Sequence, residues 1–162
     1  MSFKSKRTLV TLITGIGLAV GYSTYALGRH APAAGDIGAW ALAMLVFIGG
    51  AILASIIIQI AFHIIYSVGV VVRERTREDV EVERIIASDT AEDELDKLIG
   101  LKSSRAGYVC TGLGFVVALA ALAFLDTSTV AALHVVMGAC FAGALLEGCV
   151  SIRLYEKGVG NA

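Results

Sequence analysis

The chain has 162 residues, of which 57% are hydrophobic and only 17% charged, with a formal net charge of −1. Soluble domains carry roughly 45–50% apolar and about 25% charged residues, so the composition excludes an ordinary soluble fold and points to a lipid environment. No basic patch has interleaved aromatics, and the one long charged segment is net acidic, which excludes nucleic acid as a partner.

A helix needs about 20 mainly apolar residues to cross a hydrocarbon core of roughly 30 Å. The first such run covers about 8–27, behind Lys4, Lys6 and Arg7. It exceeds the roughly 7–15 residues of a signal-peptide apolar region, so it is expected to remain as a span. Thr14, Gly17, Gly21, Thr24 and Gly28 recur along it at steps of three and four, and Gly17 with Gly21 makes a GxxxG pair. In lipid, small residues let helix backbones approach. This seam is therefore expected to pack helices within the bundle, with a homodimer as its alternative use.

The second run, about 37–72, carries no charge and would reach about 54 Å as a helix. It must tilt or project beyond the lipid. Within it, Ala51, Ser55, Gln59, His63 and Ser67 follow at steps of four, drawing a polar stripe along one side. Polar groups facing acyl chains are costly, so the stripe is expected to face the bundle interior or a wet cleft.

Between the second and third runs lies the charged segment 73–105. Asp89 with Glu92 fits a capping box, and Leu95, Leu98 and Ile99 share a face, so a helix is predicted here. Asp93 and Lys97 form an i,i+4 pair worth about 0.3–0.5 kcal/mol. With no proline to stop it, this helix is expected to run straight into the third span. Asp89, Glu92, Asp93, Glu94, Asp96 and Lys97 make a charged surface suited to a cytoplasmic protein partner. The cluster lacks the glycine and loop spacing of a calcium-binding loop, so a solvated helix face is the expected role.

The third and fourth runs cover about 106–125 and 130–152. In the fourth, Ala139 and Gly143 continue the small-residue pattern and Glu147 follows at the next step of four. Glu147 lies six residues before Arg153, about 9 Å inside that end of the span, and His63 lies ten residues before Arg73. Meeting at a similar depth, the two would form a proton-sensitive pair. The plainer readings are a carboxylate capped by a neighbouring Ser, Tyr or Arg153, and a His and Gln that fix helix register. If Trp40 anchors the outer interface, His63 falls instead among the headgroups. His134 sits nearer the outer side, on the face opposite Glu147, and is not expected to join them. Cys110, Cys140 and Cys149 all fall in apolar runs and are expected to act as small packing residues.

Lys and Arg flank the first span on its N-terminal side, fill the central segment and follow the fourth span, while only Arg29 lies on the other side. That asymmetry puts both termini and the central segment in the cytoplasm of a plasma membrane. His63 and His134 lie at different depths, which excludes paired axial haem ligation, and no HExxH, GxSxG, phosphate-binding loop or dinucleotide fingerprint occurs. Neither a cofactor nor an enzymatic activity is expected.

The stretch "EDELDKLIGLKSSRAGY", Glu92 to Tyr108, resembles one found in small, uncharacterised bacterial and archaeal membrane proteins. In those an Asp-Glu-Arg-Asp-like cluster precedes a Lys-bearing helix entering a span. Here the cluster reads Asp93, Glu94, Leu95, Asp96, with Leu95 where the family usually has Arg. The resemblance implies a multi-span protein with two spans on each side of the motif and supplies no established activity; some such proteins accompany small helix-turn-helix regulators, which points to a signalling or stress-response role. The expected architecture is all-α, one membrane domain of four spans. The expected function is a non-enzymatic sensor or accessory protein acting through its charged helix. A small oligomeric transporter or channel with a proton or ion site at Gln59, His63 and Glu147 is the alternative.

Overall fold

The computed structural model describes residues 3–73 and 94–157. They form four α-helices: α1 (Phe3–Ala26), α2 (Ile37–Arg73), α3 (Glu94–Phe124) and α4 (Thr129–Lys157). All four are long and apolar enough to cross a membrane. The chain is an all-α, four-helix membrane protein, with no strand among the described residues.

Local signals set the helix limits at one end of the bundle. Asp36 caps α2, its Oδ1 accepting the Ala39 N–H at 2.9 Å, and Ser128 Oγ accepts the Ala131 N–H at 3.2 Å at the start of α4. Gly28 follows α1, where a Cβ would sit 2.9 Å from the Thr24 carbonyl oxygen, so only glycine lets the chain turn this tightly. Between α3 and α4, Asp126 adopts a φ of 48°, a left-handed conformation that Asp tolerates better than most residues. These short connections make the helices antiparallel, so the start of α1, the end of α2, the start of α3 and the end of α4 share the opposite end. The α2 helix, 37 residues, is about 55 Å long, well beyond the hydrocarbon thickness. The charged start of α3 and its apolar remainder are one unbroken helix.

The pattern of exposure is that of a bundle solvated by lipid. Leu45, Val46, Leu53, Ile57, Ile60 and Ile65 of α2 are all exposed on the outer surface, while the interior mixes small and polar residues such as Ser5, Ser103, Ala118, Ala132 and Ser151 with large ones such as Tyr22, Trp40, Met44, Met137 and Leu154. Since acyl chains solvate leucine as well as a protein core does, association depends on close backbone approach.

The main helix pair is α3 with α4, α1 leans on α4, and α2 rests on α1. At the α3–α4 seam a Cβ on Gly107 would come 3.0 Å from the Gly143 carbonyl oxygen, and one on Gly143 would collide with the Thr111 hydroxyl. A Cβ on Gly114 would collide with Ala139. Ala139 and Gly143 thus belong to a packed seam, whose partners on α3 are Gly107, Thr111 and Gly114.

The expected seam on α1 is a different matter. Gly17 and Gly21 have nothing within 4 Å of an added Cβ, and Thr14 donates to the Val10 carbonyl of its own helix at 2.9 Å. The intramolecular face of α1 instead passes through Leu12, Gly15 and Tyr22: Leu12 covers Gly148, a Cβ on Gly15 would sit 3.5 Å from Leu145, and Tyr22 is buried. Both faces have helical spacing and small residues, so the spacing alone does not choose between them. The larger Leu12 and Tyr22 decide it by filling the groove against α4. A second correction concerns the thiols. Cys140 and Cys149 are exposed on the bundle surface and only Cys110 is half-buried, so two of the three do not pack inside.

Candidate functional site

At the end that holds the start of α1 and the end of α4, the helices part around a cavity of about 550 Å³. Four lining residues come from the polar stripe of α2: Ala51, Ser55, Gln59 and His63. Ser67, the stripe's last member, turns to its own helix and donates to the His63 carbonyl at 2.9 Å. From α1 come Arg7, Thr8 and Thr11, from α3 Asp96, Gly100 and Ser103, and from α4 Glu147, Ser151 and Tyr155. Four residues of the stripe and Glu147 therefore face one shared cavity.

Three hydrogen bonds organise its wall. Arg7 Nη2 donates to Gln59 Oε1 at 3.1 Å, tying α1 to α2. Ser104 Oγ donates to Glu147 Oε1 at 2.6 Å, and Tyr155 Oη donates to Asp96 Oδ1 at 3.1 Å, both tying α3 to α4. The short Ser104 bond is the charge-assisted kind, the stronger class of hydrogen bond. Ser103, buried at 2% exposure, donates to the Ile99 carbonyl at 2.9 Å and so adds no demand of its own.

Glu147 thus bonds to Ser104 rather than to His63. The reason is the α3–α4 seam: Gly107 and Gly143 bring the two backbones so close that the carboxylate, one turn beyond Gly143, lies against α3. His63 shares the cavity from the α2 side.

Of the charged surface expected on the central segment, Asp89, Glu92 and Asp93 lie outside the described residues. Glu94 and Lys97 are exposed. Asp96 is half-buried, lines the cavity and accepts from Tyr155, so it is not part of an outward partner surface. It occupies the α3 face that continues through Ile99, Ser103 and Gly107, which is the face turned to α4.

Arg7, Ser104 and Tyr155 are not among the site residues that sequence spacing selects, and Asp96 is selected there only as part of the outward charged surface. For Arg7 a signal did exist. Arg7, Thr11, Gly15 and Leu18 recur at steps of four and three, and all four line the cavity.

The cavity's inner end is apolar, walled by Leu12, Leu18, Phe141 and Leu145 among others. Beyond it, an aromatic cluster fills the bundle toward the connections. Tyr22 meets Phe47 edge-on at 5.3 Å between centroids and Phe141 at 5.8 Å, and Trp40 meets His134 edge-on at 4.4 Å. Met44 and Met137 are buried there with Tyr22. Trp40 is only 4% exposed, its indole N–H donating to the Ala33 carbonyl at 3.2 Å, so it is a packing residue and not an outward interfacial anchor. His134 Nδ1 lies 2.7 Å from the Val130 carbonyl oxygen, an acceptor only, which places the ring proton on Nδ1. This histidine belongs to the cluster, away from the Glu147 cavity.

Among the described residues no group of three or more His, Cys, Asp or Glu side chains is arranged to hold a metal ion. No family model, curated protein or solved structure matches the chain.

Proposed function

We propose that the chain is a small, non-enzymatic sensor or accessory protein of a bacterial or archaeal plasma membrane, with both termini cytoplasmic and the cavity open on that side. The Lys and Arg residues that flank this end support the orientation. What carries the reading is the position of Asp96: it lines the cavity and sits in the same unbroken helix that emerges from the charged segment. Occupancy of the cavity bears on the Asp96–Tyr155 and Glu147–Ser104 bonds, and a stiff helix transmits any change to the segment that a cytoplasmic partner would read. Glu94 and Lys97, exposed on that helix, are the partner-facing positions.

A photo-crosslinker placed at Lys97 of the full chain in native membranes tests this. The expected result is one specific adduct whose yield changes at least threefold with Asp96→Asn or Tyr155→Phe. An adduct yield indifferent to both substitutions removes the coupling.

The second reading, a small oligomeric transporter or channel, rests on the shape of the interior. A cavity with its polar residues toward one end of the bundle, and an aromatic cluster beyond its apolar inner end, has the form of a one-sided access state. Four helices make a thin wall for a pathway, so transport would need assembly of several chains. Gradient-driven flux in proteoliposomes, abolished by Glu147→Gln or His63→Ala, would establish it over the sensor reading.

A further inference from the structure

The cavity wall is divided by charge. Arg7 stands on the α1 side, hydrogen-bonded to the neutral amide of Gln59, and Glu147 stands on the α4 side, hydrogen-bonded to the neutral hydroxyl of Ser104. Among the described residues neither is in an ion pair. Arg7 is exposed and Glu147 half-buried, and charges at the edge of a bilayer are normally paired or solvated. Here each is bonded to a neutral partner on its own side of the cavity. Asp96 adds a second carboxylate to the α3–α4 wall, and His63 an imidazole to the α1–α2 wall. The guanidinium has five donors, of which the Gln59 bond takes one.

Polarity is graded as well. Toward the bundle's middle the lining turns to Leu12, Leu18, Phe141 and Leu145, and Phe141 also packs against the aromatic cluster that closes the interior. The flank is not closed by a helix pair, because α2 rests on α1, touches α4 lightly and scarcely meets α3.

We propose that this cavity binds a zwitterionic amphiphile, with its anionic group on Arg7 and its ammonium between Glu147 and Asp96, and a hydrocarbon portion against Leu12, Leu18 and Leu145. A volume of about 550 Å³ suits the headgroup and first methylenes of a phosphoethanolamine lipid entering from the side. The same charge pattern would take a free, water-soluble zwitterion of that headgroup chemistry. The proposal supplies the ligand class for the sensing reading and rests on that reading's view of the cavity as a binding site.

Native mass spectrometry of the full chain in detergent tests it, titrated in parallel with phosphatidylethanolamine, phosphatidylglycerol and soluble glycerophosphoethanolamine. Phosphatidylethanolamine is expected to bind at least tenfold tighter than phosphatidylglycerol, which lacks the amine. Glu147→Gln is expected to erase most of that preference, whereas Arg7→Gln, which removes a donor to the phosphate that both lipids share, is expected to weaken both at least tenfold and leave the preference in place. Competition by glycerophosphoethanolamine at similar concentration identifies the free molecule as sufficient, whereas its failure to compete assigns the site to the lipid. Equal affinity for the two lipids by the unaltered chain overturns the proposal without reference to any variant, as does a preference that survives Glu147→Gln or a lipid affinity that Arg7→Gln leaves unchanged. Crosslinking at Lys97 that still responds to Asp96→Asn in that case retains the sensor reading and removes only the ligand.

Discussion

The Ser104 hydroxyl donates to the Glu147 carboxylate at 2.6 Å, across a helix pair brought together by Gly107 and Gly143. The bond fixes an acidic group at the cavity wall. Ser104→Ala leaves a half-buried carboxylate without its donor and is expected to destabilise the chain by about 1.5–3 kcal/mol. Glu147→Gln keeps an oxygen that accepts from Ser104, so its cost is about 1 kcal/mol or less. Reversible unfolding in mixed micelles measures both, and a Ser104→Ala cost no larger than that of Glu147→Gln contradicts the assignment.

Gly143→Ala is expected to cost about 1–3 kcal/mol or more, because the new methyl meets Thr111 and the α3 backbone in an already filled seam. Gly17→Ala and Gly21→Ala add methyls into open space and should stabilise α1 by about 0.5–1 kcal/mol each through helix propensity. The same pair tests the homodimer: if a second copy covers Gly17 and Gly21, the double alanine variant loses inter-chain crosslinking, whereas a monomer keeps only the stability gain.

Tyr22 is 5% exposed and its hydroxyl has no hydrogen-bond partner among the described residues. Tyr22→Phe keeps the ring against Phe47 and Phe141 and removes the desolvated hydroxyl. The expected gain is about 1 kcal/mol in the same unfolding assay, and a loss of that size would reveal a partner for the hydroxyl.

Arg7 and Gln59 tie α1 to a helix that otherwise rests lightly on the bundle. A double-mutant cycle of Arg7→Leu and Gln59→Leu is expected to give a coupling energy of about 1–2 kcal/mol, and additive effects would show that the contact does not hold α2.

Much of the fold was legible because lipid demands long apolar helices, and the four runs announced themselves by length and lack of charge. The continuity of the charged helix with the third span was legible from the absence of proline between Glu94 and Leu125. The polar stripe on α2 could be read because steps of four leave no ambiguity about which side Ser55, Gln59 and His63 share. Its helical neighbours were harder. On α1, two faces had suitable spacing, and the choice fell to the volumes of Leu12 and Tyr22 against α4, which spacing does not encode. Glu147's partner was harder still. The distance between α3 and α4 is set by Gly107, Gly114, Ala139 and Gly143 acting together, and only that distance brings Ser104 within reach. Asp96 read as one more solvated acid because Leu95, Leu98 and Ile99 marked the apolar face, whereas only Ile99 of the three is buried and Asp96 turns inward to accept from Tyr155 on another helix.

The central claim is that the α2 stripe faces an aqueous cavity while its other side faces lipid, and thiol labelling measures this directly. With Cys110, Cys140 and Cys149 replaced by Ala, single cysteines at Ser55, Gln59 and His63 are compared with cysteines at Ile57 and Ile64, both exposed on the outer surface of α2. A charged, membrane-impermeant thiol reagent applied from the cytoplasmic side should modify the first three at least tenfold faster than the last two. Equal rates, or faster modification at positions 57 and 64, would contradict the claim.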